Sequence, residues 1–288
     1  VFRRETLYQK MRALIIYLVI SAVFIGCTPI LSIDASTQNV YHFSDTDKNI
    51  SLLDISETFG TYDGSFVLYD NNLDSWKIYD LEEATKRIPP ESTYKIYDAL
   101  LGLESGIITP EHSSMTWNGD AFPFPSWEAD QDLNSAMQNS VNWYFQAIDS
   151  QLGINRVQEF LNKIEYGNQT TSSNLDLYWS DFSLKISPLE QVTLLKKFNT
   201  NEFHLNSQNV FSVKNAIKIA STPNGNFYGK TGTGRVNGQD INGWFIGYVE
   251  TSDNSYYFAT NIQSDSNATG KKAFEITSDI LKKLHIWN

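Results

Sequence analysis

Short runs of alternating apolar and polar residues mark the first elements of the chain. Residues 64–70 (G-S-F-V-L-Y-D) and 75–80 (S-W-K-I-Y-D) are rich in aromatic and β-branched side chains. The Asn71-Asn72 pair between them is turn chemistry, so the segment predicts a β-hairpin. Pro89-Pro90 precede S-T-Y-K-I-Y-D-A-L-L-G-L-E-S-G, which predicts a helix with proline at its start and Gly106 near its end. Residues 107–220 read mostly as helix and loop. Residues 227–236, 243–250 and 255–263 then alternate again between Asn/Gly-rich turns and predict a three-stranded antiparallel meander. In the last segment, 271–286, Ala273, Ile276, Ile280, Leu281 and Leu284 fall on one helical face. Strands at both ends with helices between predict an α/β chain of the α+β type. One antiparallel sheet is built from both chain ends and flanked by helices.

The N-terminal pattern is of another kind. Ala13 to Ile33 is a run of 21 residues without a charge, about the length that spans a bilayer core. Arg3, Arg4, Lys10 and Arg12 precede it against Glu5 alone, so the positive-inside rule puts the N-terminus in the cytoplasm and the rest outside. The expected organisation is a basic cytoplasmic flank at 1–12, a transmembrane helix at 13–33, a linker or loosely docked arm at 34–55, and an extracellular domain at 56–288. An extra strand or short helix packed on the domain is the alternative for the arm. A cleaved signal beginning at Met11 is the alternative for the helix, and Phe24-Ile25-Gly26-Cys27 loosely resembles a lipoprotein cleavage box. The anchor is preferred, because a leader starting at Met11 would hold one arginine. The chain opens on Val1 and reads as a piece of a longer protein.

Composition narrows the chemistry. The net charge of −11 leaves no basic stripe to neutralise phosphates, so nucleic acid is not an expected partner. Cys27 is the one cysteine, which excludes an internal disulfide. His42, His112, His204 and His285 are scattered and no metal is expected.

Three short motifs carry the candidate chemistry. Ser92 and Lys95 form S-x-x-K, a spacing that puts both side chains on one helical face. A serine hydroxyl needs a base to take its proton, and a lysine with a pKa depressed by burial can serve. Ile96, Ala99, Leu100 and Leu101 supply an apolar surround. Lys230-Thr231-Gly232, followed by Thr233, sits on a predicted strand. Gly232 would let a ligand approach the backbone there, while Lys230 tunes the electrostatics or holds a substrate carboxylate and the two threonines donate hydroxyls. Ser140-Val141-Asn142 offers a serine able to relay a proton. Each motif alone is weak. Together they occur in the order S-x-x-K, S-x-N, K-T-G, with Ser140 and Lys230 lying 48 and 138 residues after Ser92. That is the order found in serine β-lactamases and penicillin-binding proteins.

From about residue 56 to the end the chain resembles the class D (oxacillinase-type) β-lactamase fold. Tyr166-Gly167-Asn168, and Trp179 followed by S-L-K-I-S-P-L-E-Q at 183–191, extend the match. The resemblance implies that Lys95 is N-carboxylated by carbon dioxide to act as general base, with Trp179 supporting it and no other cofactor. It also implies an oxyanion hole made of the backbone N–H groups of Ser92 and Thr233. Within the superfamily the chain is most similar to the sensor domain of the BlaR/MecR β-lactam sensor-transducers. The stretches that carry this are S-T-Y-K-I-Y at 92–97, S-V-N-W-Y at 140–144, G-K-T-G-T-G at 229–234, N-G-W-F-I-G-Y-V-E at 242–250 and Y-Y-F-A-T at 256–260. That likeness implies a receptor in the bacterial cell membrane, whose last transmembrane helix leads into an external C-terminal sensor. The family's membrane-embedded zinc protease would stand upstream.

One departure helps to choose between sensor and hydrolase: Asn142 stands where hydrolysing class D enzymes usually carry valine. An amide there hydrogen-bonds Lys95 and favours loss of the carbamate, leaving Ser92 acylated. The expected function is therefore a β-lactam receptor. A class D hydrolase is the alternative, and a peptidoglycan-processing penicillin-binding protein a third reading. No basic residue is a clear match for the one that grips the drug carboxylate; among Arg235, Lys271 and Lys272 none stands out, and Thr231 and Thr233 are preferred. Tyr94, Trp143 and Trp244 line the pocket or, by preference, pack in the core.

Overall fold

The computed structural model describes residues 49–172 and 174–288. The basic flank at 1–12, the apolar segment at 13–33 and the arm as far as residue 48 lie outside them. Among the described residues no helix is long and apolar enough to cross a membrane.

Among the described residues seven strands form one sheet in the order β1-β3-β2-β7-β6-β5-β4. β1 (Ile50–Leu52), β2 (Asp63–Asp70) and β3 (Ser75–Tyr79) come from the front of the described chain. β4 (Lys218–Thr222), β5 (Gly225–Val236), β6 (Gln239–Thr251) and β7 (Ser255–Gln263) come from its end. The two sets join where β2 runs antiparallel to β7. Sequence reading anticipated the hairpin and the meander, held an extra strand in the arm as its alternative, and did not foresee β4. β1 pairs parallel to β3, so the sheet is not wholly antiparallel, and this strand falls within the arm. β4 has little alternation to show, because as an edge strand it is mostly exposed.

The hairpin turn is set by Asp70. Its Oδ1 accepts from Asn72 N at 3.1 Å and Leu73 N at 3.2 Å, and Asn254 Nδ2 ties it to the next turn at 2.8 Å. Strand β2 is buried on both faces, and its side chains serve two cores in alternation. Phe66 and Leu68 pack with Phe258, Ile262 and the apolar face of the C-terminal helix Gly270–Lys283. Val67 and Tyr69 face the larger core beneath the remaining helices. Each fully buried aliphatic or aromatic side chain contributes about 1.5–3 kcal/mol.

Numbered in chain order, the helices are α1 (Ser56–Phe59), α2 (Leu81–Thr85), α3 (Lys95–Glu104), α4 (Leu133–Gln138), α5 (Asn142–Leu152), α6 (Ile154–Ile164), α7 (Pro188–Asn199), α8 (Ser207–Ala216) and α9 (Gly270–Lys283). The S-P-L-E run starts α7 with a reciprocal capping box between Ser187 and Glu190, with Pro188 in the first turn. Helix α3 is buried at every position from Lys95 to Leu103, so it has no solvent face and its sequence shows no clean stripe. Gly106 takes φ +72 just past its end.

Candidate active site

The residues ahead of α3 do not continue it as one α-helix. Glu91–Tyr94 form a 3₁₀ turn, and the α-helix begins at Lys95. In 3₁₀ geometry residues three apart eclipse each other, which brings the S-x-x-K pair together: Lys95 Nζ donates to Ser92 Oγ at 2.9 Å. The turn is pinned on several sides. Thr93 Oγ1 donates to Pro90 O at 2.6 Å and accepts from Gln191 Nε2 of α7 at 2.9 Å. Trp244 Nε1 of β6 donates to Pro89 O at 2.8 Å, and Glu91 N to Trp179 O at 3.1 Å.

Lys95 is 1% exposed. Its Nζ lies 4.2 Å from the Trp179 ring centre and 5.5 Å from that of Phe145, and it donates to Asn142 Oδ1 at 2.8 Å. Burial, and then the charge of Lys230, hold its pKa well below the ordinary lysine value. The shift favours the uncharged amine, the form needed to accept the Ser92 proton.

Ser140 owes its position to a Schellman stop. Val141 N reaches back to Ala136 O at 2.9 Å and Ser140 N to Met137 O at 3.3 Å, which forces Ser140 to φ +56. Glycine is usual there. A serine in this strained backbone keeps a hydroxyl where Lys230 Nζ donates to it at 2.8 Å. Lys230 also donates to Thr231 O at 3.0 Å, and burial pushes its pKa down to about 7.

Strand β5 runs beside the Ser92 turn. A Cβ on Gly232 would stand 3.1 Å from both Pro90 O and Glu91 Cβ and 3.3 Å from Ser92 N. The protein's own backbone approach therefore gives the glycine of K-T-G a reason of its own, beside the ligand access that its sequence context suggests, and Gly232 lines the cleft. Thr233 Oγ1 accepts from Gly270 N at 2.8 Å, which leaves its O–H free to donate elsewhere. Ser92, Ser140, Asn142 and Thr231 to Thr233 share one cleft of about 360 Å³. Arg235 also reaches this cleft but is paired with Asp240 at 2.7 Å, and Lys271 and Lys272 do not line it.

Trp179 is aimed by its loop. Gly167, at φ +50, passes so close to Lys185 O that a Cβ would lie 1.9 Å from it. Asn168 then bonds the loop twice, Nδ2 to Ser183 O at 2.7 Å and Oδ1 from Lys185 N at 2.9 Å. The Y-G-N tripeptide is thus a staple for the segment that carries Trp179. Behind Trp179, Tyr178 donates to Asp149 Oδ1 at 3.2 Å. Asp149 and Asp98 are fully buried, and burial raises both carboxyl pKa values, with the charge of Asp149 adding to the rise at Asp98.

Several site residues were not foreseen. Phe124, Ser126 and Trp127 line the cleft opposite the K-T-G strand, and no motif marks them. Phe145 was legible in principle, three residues after Asn142 on the same helix. Tyr94 and Trp244 are buried in the core, and Trp143 packs against its edge, so none of them lines the cleft.

Residues 56–282 match the family described as the penicillin binding protein transpeptidase domain. The chain belongs to this family. It is 44% identical over 283 residues to the regulatory protein BlaR1 of Bacillus licheniformis, an alignment covering 98% of this chain and 46% of that protein. The solved C-terminal domain of the Bacillus licheniformis BlaR penicillin-receptor superposes with a TM-score of 0.81 at 46% identity, covering 83% of this chain and 98% of that domain. The class D beta-lactamase BAT-2 superposes with a TM-score of 0.77 at 36% identity, covering 82% of this chain and 97% of that enzyme. The resemblance to BlaR/MecR proteins drawn from the motifs therefore extends over nearly the whole sequence. The chain spans about half the length of the curated relatives it matches.

Proposed function

We propose that this chain is the β-lactam-binding sensor end of a membrane receptor of the BlaR/MecR type, in which Ser92 is acylated and stays acylated. The observation that carries the reading is the hydrogen bond from Lys95 Nζ to Asn142 Oδ1 at 2.8 Å. Lys95, as an amine, takes the proton of Ser92 Oγ, and Oγ attacks the lactam carbonyl carbon. Charge developing on the carbonyl oxygen is met by the backbone N–H groups of Ser92 and Thr233. The lactam C–N bond breaks, and the leaving nitrogen takes a proton from Lys230 through the Ser140 hydroxyl. With a pKa of about 7, Lys230 is suited to give that proton up. After the ring opens, Lys95 is the ammonium and Lys230 the amine. The repulsion from Lys230, the smaller of the two causes that disfavour the charge on Lys95, is gone, and Asn142 holds the ammonium against the cost of its burial.

Lys95 also fits N-carboxylation. Burial in an apolar pocket disfavours the charge on its amine, and Trp179 Nε1 is a buried donor without a partner among the described residues. A carbamate would supply a stronger base at this position, held by Trp179 and Ser92. Deacylation requires a base to activate water, and an ammonium bonded to Asn142 offers none. Signalling through the 13–33 helix, an external position for 56–288 and an upstream protease belong to the same proposal. They rest on the basic flank at the N-terminus and on the greater length of the relatives.

The test is to treat the 288-residue chain in detergent micelles with benzylpenicillin and bicarbonate and to follow intact mass over hours. A stoichiometric adduct on Ser92 that persists supports the receptor. An adduct that clears within seconds while penicillin is consumed makes the chain a class D hydrolase, the reading favoured by its likeness to BAT-2.

A further inference from the structure

Glu91, the residue before the nucleophile, takes no part in the steps above, yet the site is built around it. Its backbone is left-handed, φ +53, a conformation unfavourable for a residue with a Cβ. Its side chain is buried at 6% exposure. The room it occupies is cut into β5 by two glycines on one face of the strand. A Cβ on Gly232 would stand 3.1 Å from Glu91 Cβ, and one on Gly234 would run into the Glu91 carboxyl. Asn242 of β6 closes the slot, with Nδ2 donating to Glu91 Oε1 at 3.3 Å and to Pro89 O at 3.1 Å. Asn242 is itself fixed by Asn261 Nδ2, which donates to its Oδ1 at 2.9 Å. The second glycine of K-T-G-T-G thus has its reason in a carboxyl more than a hundred residues earlier in the chain.

We propose that Glu91 is a positioning residue for the acylation of Ser92, a spacer in the slot left by Gly232 and Gly234 that sets the gap between the Ser92 turn and strand β5. The inference rests on the acylation reading of Ser92. The gap matters because the two proposed oxyanion donors sit on its two sides, Ser92 N on the turn and Thr233 N on the strand. Burial pushes the carboxyl pKa up to about 8, so at neutral pH the spacer is uncharged. Lys95 of α3 is the ionisable group that acts on it, while β5 presents glycines and β6 the Asn242 amide. Ionisation has two effects of one sign. It places a carboxylate in a dry slot with one weak donor, which favours opening of the gap. It also favours the ammonium form of Lys95, which cannot accept the serine proton.

The test measures the rate of Ser92 acylation by benzylpenicillin, by quenched intact mass, for the full chain and its E91Q and E91A variants from about pH 6.5 to 9.5. Glutamine has the shape of the neutral acid and restores the spacer. E91Q is expected within about threefold of wild type at the acid end, while E91A falls by about 10- to 100-fold through misplacement of the reacting groups. Above pH 8 the ratio of wild type to E91Q is expected to fall by up to about tenfold per pH unit; taking the ratio cancels the titration of Lys230 and leaves only the part of the Lys95 titration that Glu91 controls. Acylation of E91A at the wild-type rate overturns the proposal. Superimposable profiles for wild type and E91Q do the same, even where E91A fails to fold. No adduct on the wild-type chain overturns the acylation reading itself, and the spacer role with it.

Discussion

Replacing Asn142 with valine isolates the contact on which the receptor reading turns. The Asn142 side chain makes one hydrogen bond among the described residues, as acceptor from Lys95 Nζ at 2.8 Å. Its loss therefore orphans no other group. A hydrogen bond to a charged partner contributes about 1.5–3 kcal/mol, and a buried site lies toward the upper part of that range. At 1.36 kcal/mol per pKa unit, the loss lowers the proton affinity of Lys95 by about one to two units. The fraction of Lys95 available as a base in the acylated protein rises by about 10- to 100-fold, and deacylation with it. The assay is a chase: acylate with benzylpenicillin, remove free drug, and follow the Ser92 adduct by intact mass in wild type and N142V. In parallel, ¹³C spectra in labelled bicarbonate report whether Lys95 retains a carbamate after acylation. An adduct on N142V that clears at the wild-type rate, with an unchanged spectrum, would refute the reasoning.

Other consequences follow from the same geometry. S92A is expected to give no adduct while losing about 1 kcal/mol or less of stability in a thermal melt, since only the acceptor for Lys95 is removed; an adduct on S92A would assign the nucleophile elsewhere. G167A is expected to destabilise by more than about 2 kcal/mol, because φ +50 and the Lys185 carbonyl together leave no place for a Cβ. A neutral result in denaturant titration would dismiss the staple beneath Trp179. The pKa of Asp149 is raised by burial from 3.8 to about 8, so the folded chain must take up a proton there. Its contribution to stability is present below pH 3.8 and lost as pH rises through about 8. D149N, shaped like the neutral acid, should gain on wild type across that window, and urea midpoints that shift in parallel at both ends would count against the raised carboxyl.

How much could be read in advance depended on how local each feature is. The β2–β3 hairpin, the β5–β7 meander and α9 were legible because their alternation or 3.6-residue stripe reports one buried face. The start of α7 could have been read from S-P-L-E, a complete capping signal, but residues 107–220 read only as helix and loop. The helix expected from Ser92 was too simple. Glu91 at φ +53 and the hydroxyl of Thr93 tighten the first residues into a 3₁₀ turn, and neither effect shows in composition. β1 and β4 gave too little pattern, being short or exposed edge strands. Phe124 and Trp127 reached the cleft without any motif, because loop residues are positioned by what they pack on.

Ser92 and Lys95 could be paired from sequence alone, because residues three apart in a helical turn meet whatever surrounds them. The same locality let Lys230 to Thr233 be assigned to a strand and Asn142 be singled out as a departure. Which groups touch across the chain was decided by tertiary structure. Lys95 meets Asn142 47 residues away and Lys230 meets Ser140 90 residues away. Those contacts exist only once the sheet and the helical layer have closed on each other. The reactivity is tertiary for the same reason: a lysine is a base near neutral pH only where water has been removed from it. Burial of Lys95 and Lys230 is a property of the packed core and not of any motif. The glycines of K-T-G-T-G show the division most plainly. Their presence is written in the sequence, but the reason for them, the backbone and carboxyl of Glu91 lying across the strand, appears only in the fold.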